Sequence, residues 1–223
     1  MATRESILDV LSHNDFATPA QLANMCGVQV PAISKAMQQL ASQSLIVIES
    51  GFRPAILRLS CTGARTMDKM LTSGKRTPSA SVQQHACHRN EIGRVLSDKY
   101  PGFKWTPRLQ LFKHGLRPAI GEHGAIDQLG RSYLVLLDDY CMASNRILRT
   151  WARRHAPDMN HYHEHTGQRW CDLANHFIVA TTSTKQAERH QKWIGRHHKD
   201  CKNPELRLPD IEVISVDPLW SLF

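Results

Sequence analysis

Thr18-Pro19-Ala20-Gln21 is a helix start in miniature. Thr18 can cap, Pro19 suits the first helical position, where its missing N–H costs nothing, and Gln21 can reach back as in a capping box. The helix this predicts runs through Leu22, Ala23 and Met25 and stops near Gly27, a natural C-terminal residue. After a short turn, Pro31 to Leu40 carries apolar residues at 33, 36, 37 and 40, the helical period again. Two helices joined by a Gly-containing turn of about four residues make a helix-turn-helix.

The flanks extend the pattern. Ile7, Leu8, Val10 and Leu11 form one face of a preceding helix. Leu45 to Glu49 is a β-rich run, Ser50 to Pro54 a turn, and Ala55 to Leu59 a returning strand. Three helices and a hairpin predict a winged helix-turn-helix domain over residues 1–72, closed by a short helix from Thr62 to about Leu71. Residues 73–84 (SGKRTPSASVQQ) read as a linker or surface loop.

Beyond it, residues 85–223 read as an α/β domain. His88 to Leu96 looks helical; Phe112 to Leu116, Tyr133 to Leu137, His176 to Thr181 and Asp210 to Val216 look like strands. Cys141 to His155 and Lys185 to His198 are basic helical stretches. Strand, helix, strand, helix, strand implies some parallel pairing. The fold class expected is α+β or α/β, an N-terminal winged helix-turn-helix followed by a nuclease-like α/β domain.

A total of 223 residues, 41% hydrophobic and 22% charged, suits one large domain or two small ones. No run approaches 18 apolar residues, so no membrane span is expected, and MATRESILDV lacks a secretory signal pattern. The six Cys (26, 61, 87, 141, 171, 201) are scattered without CxxC, as in a reduced cytosolic chain.

If the helix-turn-helix reads DNA, its second helix enters the major groove, bringing Gln29, Val30, Pro31, Ser34, Lys35 and Gln38 to base edges. Gln pairs with adenine, Lys with guanine, and Val touches a thymine methyl. Arg53 at the wing tip suits a phosphate or minor-groove contact. The alternative is a winged helix used for protein interaction or dimerisation. The formal net charge of +8 is not there: residues 1–74 hold six basic side chains (4, 35, 53, 58, 65, 69) against five acidic. It lies beyond the linker. Arg146, Arg149, Arg153 and Arg154 fall in nine residues without an acid between them. Lys185, Arg189, Lys192 and Arg196 repeat at four, three and four. Such stripes track a phosphate backbone, or are the solvated faces of amphipathic helices.

His161, His163 and His165 project to one side of an extended segment, where three imidazoles can ligate zinc or nickel with Cys171 or His176. The loop-like composition around them equally describes a surface His cluster. His85-Ala86-Cys87-His88 and His197-His198 with Cys201 lack the second half of a metal site. For a nuclease, acids closing strands hold magnesium or manganese beside the scissile phosphate. The candidates are Asp138, Asp139 and Glu122, with Asp127 beside them, yet no Lys stands two residues beyond Asp138-Asp139.

In order along the chain these pieces resemble the plasmid replication-relaxation proteins. The carrying motifs are Leu59 to Thr66 (LSCTGART), similar to an "LT-x-x-G-A" helix start, and His85 with Asn90-Glu91 and Val95-Leu96. Arg117-Pro118 and HFIVATTSTKQAERHQKWI, similar to a "V-T-T-S" strand before a basic helix, complete them. The resemblance implies a winged helix plus a restriction-endonuclease-like domain, related to plasmid mobilisation relaxases. Departures are Ala119 where an Asp often follows Arg-Pro, and Leu136 and Leu137 where Glu-x-Asp is common. They imply a catalytically degenerate nuclease fold.

The expectation is therefore a bacterial cytoplasmic protein that binds double-stranded DNA of a plasmid, phage or other mobile element. It would act in replication, mobilisation or transcriptional control, without catalysis or cofactor of its own and with no membrane partner. A homodimer and replication or mobilisation proteins are the further partners. The alternatives are a metal-dependent nickase or relaxase using Mg or Mn, and a protein-interaction adaptor.

Overall fold

A computed structural model of the chain describes residues 4–68, 78–116, 118, 122–139, 174–202 and 208–220. It is a mixed α+β structure with two sheets. It divides into two compact units, Met1–Glu91 with Leu219–Phe223, and Ile92–Pro218. No helix among the described residues is long and apolar enough to cross a membrane.

In the first unit, α1 (Arg4–Asn14) buries Ile7, Leu8 and Leu11, the stripe its spacing predicts. A two-residue strand β1 (Phe16–Ala17) leads into α2 (Pro19–Met25). The capping box forms: the Gln21 N–H donates to Thr18 Oγ1 at 3.3 Å, and the Thr18 N–H donates to Gln21 Oε1 at 3.1 Å. Gly27 ends this helix at φ +67°, in the left-handed region where a Cβ is strained. Next, α3 (Val30–Ser42) buries Ile33, Met37 and Leu40 against Ile7, Leu11, Leu22 and Leu57. Strands β2 (Ile46–Glu49) and β3 (Ile56–Leu59) form an antiparallel hairpin, and β1 adds to β3, giving the order β1-β3-β2. Ser60 caps α4 (Cys61–Thr66) through the Gly63 N–H at 2.9 Å.

Helix α5 (Ala80–Lys99) starts inside the stretch expected as linker and is longer than the helix read from His88. Two long-range hydrogen bonds hold its first half: Gln21 Nε2 donates to the Cys87 carbonyl at 2.8 Å, and Asn90 Nδ2 to the Phe16 carbonyl at 2.7 Å. The division between the units falls within this helix, at Glu91 and Ile92.

The second unit is built on a four-stranded sheet, β4 (Glu122–Ile126), β5 (Ser132–Asp138), β6 (His176–Thr181) and β7 (Ile211–Ser215), in that order. β4 runs antiparallel to β5; β5, β6 and β7 are mutually parallel. β5 and β6 are buried on both faces, as their unbroken apolar runs predict. One face packs Tyr133, Val135, Leu137 and Ile178 against Ile92 and Leu96 of α5. The other packs Leu134, Leu136, Phe177 and Val179 against Leu111 and Ile194, from α6 (Arg108–Lys113) and α7 (Thr184–Asp200).

The expected strand over Phe112 to Leu116 is not one. Residues 108–113 are helical, only Leu111 is buried, and Gly115 turns the chain at φ +81°. Phe112, the apolar start of the expected strand, lies in the last turn of the helix and is 41% exposed, while His114 and Gly115 form a turn before buried Leu116.

Candidate functional site

Each unit gathers some of the candidate residues in one place. In the first, α3 turns Ile33, Met37 and Leu40 inward, so Val30, Pro31, Lys35 and Gln38 face solvent, preceded by exposed Gln29. Ser34 is half-buried and donates back to the Val30 carbonyl at 3.1 Å. Gln29 occupies the N-cap position without a side-chain capping bond, leaving its amide free for other partners. An open groove of about 500 Å³ lies at the turn between α2 and α3, lined by small side chains, Gln29 and Val30. Arg53 is exposed in the β2–β3 turn, whereas Arg58 on β3 is tied to Glu49 at 3.0 Å. The residues read as base-contacting thus share one helix face, and Arg53 belongs to the adjacent hairpin.

In the second unit, buried polar side chains gather at one end of the sheet. Parallel β5 ends in Asp138, followed by Asp139, and β6 ends in Thr181, followed by Thr182. Antiparallel β4 begins at the same end with Glu122, paired opposite Leu136. All five are buried, as are Gln186 and His190 of α7. By register, Glu122, Asp138 and Thr181 lie on the sheet face that α7 covers. Asp138 Oδ2 accepts from Gln186 Nε2 at 3.2 Å and sits 2.8 Å from His190 Nε2. Neither Asp138 nor His190 has exposed side-chain area. A carboxylate only accepts, so the imidazole proton lies on Nε2. The Nδ1 lone pair is then buried with no hydrogen-bond partner among the described residues. The carboxyl ends of parallel strands are where open α/β sheets place their ligands.

Sequence reasoning found Asp138, Asp139 and Glu122 but missed Gln186 and His190. Their signal is the i, i+4 spacing on a helix whose other faces are polar; it is masked by the cations of the stripe that runs along the same helix. Asp127, the fourth acid, belongs elsewhere. It accepts from Arg131 Nε at 2.6 Å, from the Tyr133 hydroxyl at 3.0 Å and from two backbone N–H groups. Burial alone would raise its pKa; the hydrogen bonds from Arg131, Tyr133 and Leu129 outweigh that and lower it.

On α7 the stripe is present. Lys185, Arg189, Lys192 and Arg196 are exposed, with Lys199 continuing the row and Glu188 interrupting it. None forms a salt bridge among the described residues. Ser183 caps this helix through the Gln186 N–H at 3.3 Å, and Gln186, Ala187, His190 and Ile194 face inward.

Arg117, Arg146, Arg149, Arg153, His161, His163, His165 and Cys171 lie outside the described residues. Among those described, no three His, Cys, Asp or Glu side chains are grouped as a metal ion needs. His85, Cys87 and His88 are on α5, where Cys87 is fully buried and His88 meets Trp220 edge-on at 5.2 Å. His197 stacks on Trp193 at 5.3 Å.

Comparison with protein-family models and with curated proteins finds no match to this sequence.

Proposed function

We propose that the chain binds double-stranded DNA of a plasmid, phage or other mobile element, and acts in its replication, mobilisation or transcriptional control. In this reading residues 4–68 are a winged helix whose α3 reads bases and whose wing carries Arg53. The nuclease-like unit grips phosphates through α7. The observation that carries the reading is the outer face of α3. Gln29, Val30, Pro31, Lys35 and Gln38 are exposed there, Val30 by 37%, on a helix that begins at a tight Gly27 turn and precedes an antiparallel hairpin. An exposed apolar residue among amides and a cation suits a groove that offers thymine methyls beside hydrogen-bonding base edges.

The experiment is a gel shift of the full chain on DNA flanking its own coding sequence, with mixed-sequence duplex as competitor. Lys35→Ala with Gln38→Ala is expected to abolish the preference for the flanking DNA while leaving weak, salt-sensitive binding. Absence of any salt-sensitive affinity in the unsubstituted chain would end the reading.

A metal-dependent nickase is the second reading, favoured by the buried carboxyls of Glu122 and Asp138 on one face at the carboxyl end of the parallel strands. Nicking of supercoiled plasmid in magnesium or manganese, lost in Asp138→Ala, would replace the first reading with this one.

A further inference from the structure

The wing tip is held from an unexpected direction. The chain leaves the first unit at Glu91 and returns to it at Leu219. There Trp220 donates its indole N–H to the Pro54 carbonyl at 3.1 Å and packs edge-on against Phe52, ring centroids 6.2 Å apart. Leu219 and Trp220 lie on a small cluster with Phe16, Ile56 and Cys87 beneath. Phe52 and Pro54 are the two chain neighbours of Arg53. One side chain thus holds both sides of a residue that is itself exposed and makes no salt bridge among the described residues.

We infer that Trp220 is a positioning residue for DNA binding: it braces the β2–β3 loop so that Arg53 is presented to a phosphate. The inference rests on the DNA-binding reading and adds to it a residue from the far end of the chain. A hairpin tip otherwise loses backbone freedom when it is ordered on a ligand. A brace formed in the free protein removes that cost from the binding step. The packing of Trp220 on the Phe52 ring fixes where the loop lies. The hydrogen bond to the Pro54 carbonyl fixes the backbone just after Arg53.

The test is the affinity of the full chain for a fluorescein-labelled mixed-sequence duplex, read by anisotropy, in a double-mutant cycle of Trp220→Ala and Arg53→Ala. Each substitution alone is expected to weaken binding roughly tenfold. In the Arg53→Ala background Trp220→Ala is expected to cost nothing further, because it acts through Arg53. Trp220→Phe keeps ring packing and loses the hydrogen bond, so it is expected to fall between the two and guards against misfolding of the Ala variant. Amide hydrogen exchange over residues 50–55 is expected to speed up in Trp220→Ala. Three results overturn the inference while the DNA-binding reading stands: unchanged affinity in Trp220→Ala, unchanged exchange over residues 50–55, or an equal loss in the Arg53→Ala background, the mark of a merely structural role. Failure of the unsubstituted chain to bind any duplex overturns both.

Discussion

A Cβ at Gly63 would sit 1.9 Å from the Leu45 carbonyl oxygen. That carbonyl accepts the Ser60 N–H at 3.0 Å, and the Gly63 N–H donates to Ser60 Oγ, so neither partner can retreat. The glycine of the LSCTGART stretch therefore has a packing reason: α4 crosses the start of the hairpin at backbone contact. Gly63→Ala is expected to destabilise the first unit by about 3 kcal/mol or more, as overpacking against unyielding backbone does. A chemical-denaturation midpoint within error of the unsubstituted chain would contradict this. Cys87 is a second residue whose surroundings decide its behaviour. It is fully buried, and burial pushes its thiol up to about 12, so it is a small core hydrophobe rather than a reactive group.

At the scale of the element, α7 is two helices in one. Outward it is a row of cations; inward it sends Gln186 and His190 to Asp138. Removing the partner of a buried carboxylate leaves it without its hydrogen bond, a loss of about 1–3 kcal/mol. His190→Ala is expected to destabilise the second unit by that amount. Asp138→Leu with His190→Leu is expected to recover most of it, because replacing both partners of a buried hydrogen bond by apolar groups is nearly neutral. Denaturant unfolding of both variants checks the pair: a double variant no better than His190→Ala would show that the site does more than satisfy this hydrogen bond. The capping box at Thr18, the Gly27 stop, the β2–β3 hairpin and the apolar strands β5 and β6 were legible because each is a local rule satisfied by adjacent residues. β4 was not. Glu122 to Ile126 is an edge strand with little β preference, placed by pairing with β5 and by Gly124, which lets Leu111 close over it. Asp138 and Asp139 were legible as strand-end carboxylates, whereas Glu122 was named as a candidate acid without the strand that it begins. His190 was not legible, because only tertiary packing brings it to a carboxylate 52 positions away.

Across the whole molecule the +8 is unevenly spread. Residues 1–74 carry a net of only about +1, so nearly all the excess lies beyond them. Under the DNA-binding proposal, base reading and phosphate gripping are then separable by salt. Each neutralised phosphate contributes about −0.9 to the slope of log affinity against log salt on duplex DNA. Lys192→Ala with Arg196→Ala is expected to flatten that slope by about 1.8 and to weaken all sequences alike. Lys35→Ala with Gln38→Ala is expected to change the slope by no more than one phosphate's worth while levelling preferred and competing sequences. Anisotropy titrations across a range of salt concentrations check both; equal slopes for the α7 variant and the unsubstituted chain would remove α7 from the interface.

The return of Trp220 to the β2–β3 turn also sets an order of events in synthesis. Pro54 is made 166 residues before the indole that holds it. At about 5–20 residues per second, that separates them by roughly 8–33 s on the ribosome. For most of that interval the core residues of α1 to α4 are already made and these elements can fold, but the turn lacks the indole hydrogen bond and the Trp220 side of its packing. A nascent chain therefore carries α3 well before the β2–β3 turn gains the contacts of Trp220, so one of the last-made contacts of the first unit belongs to one of its earlier-made turns.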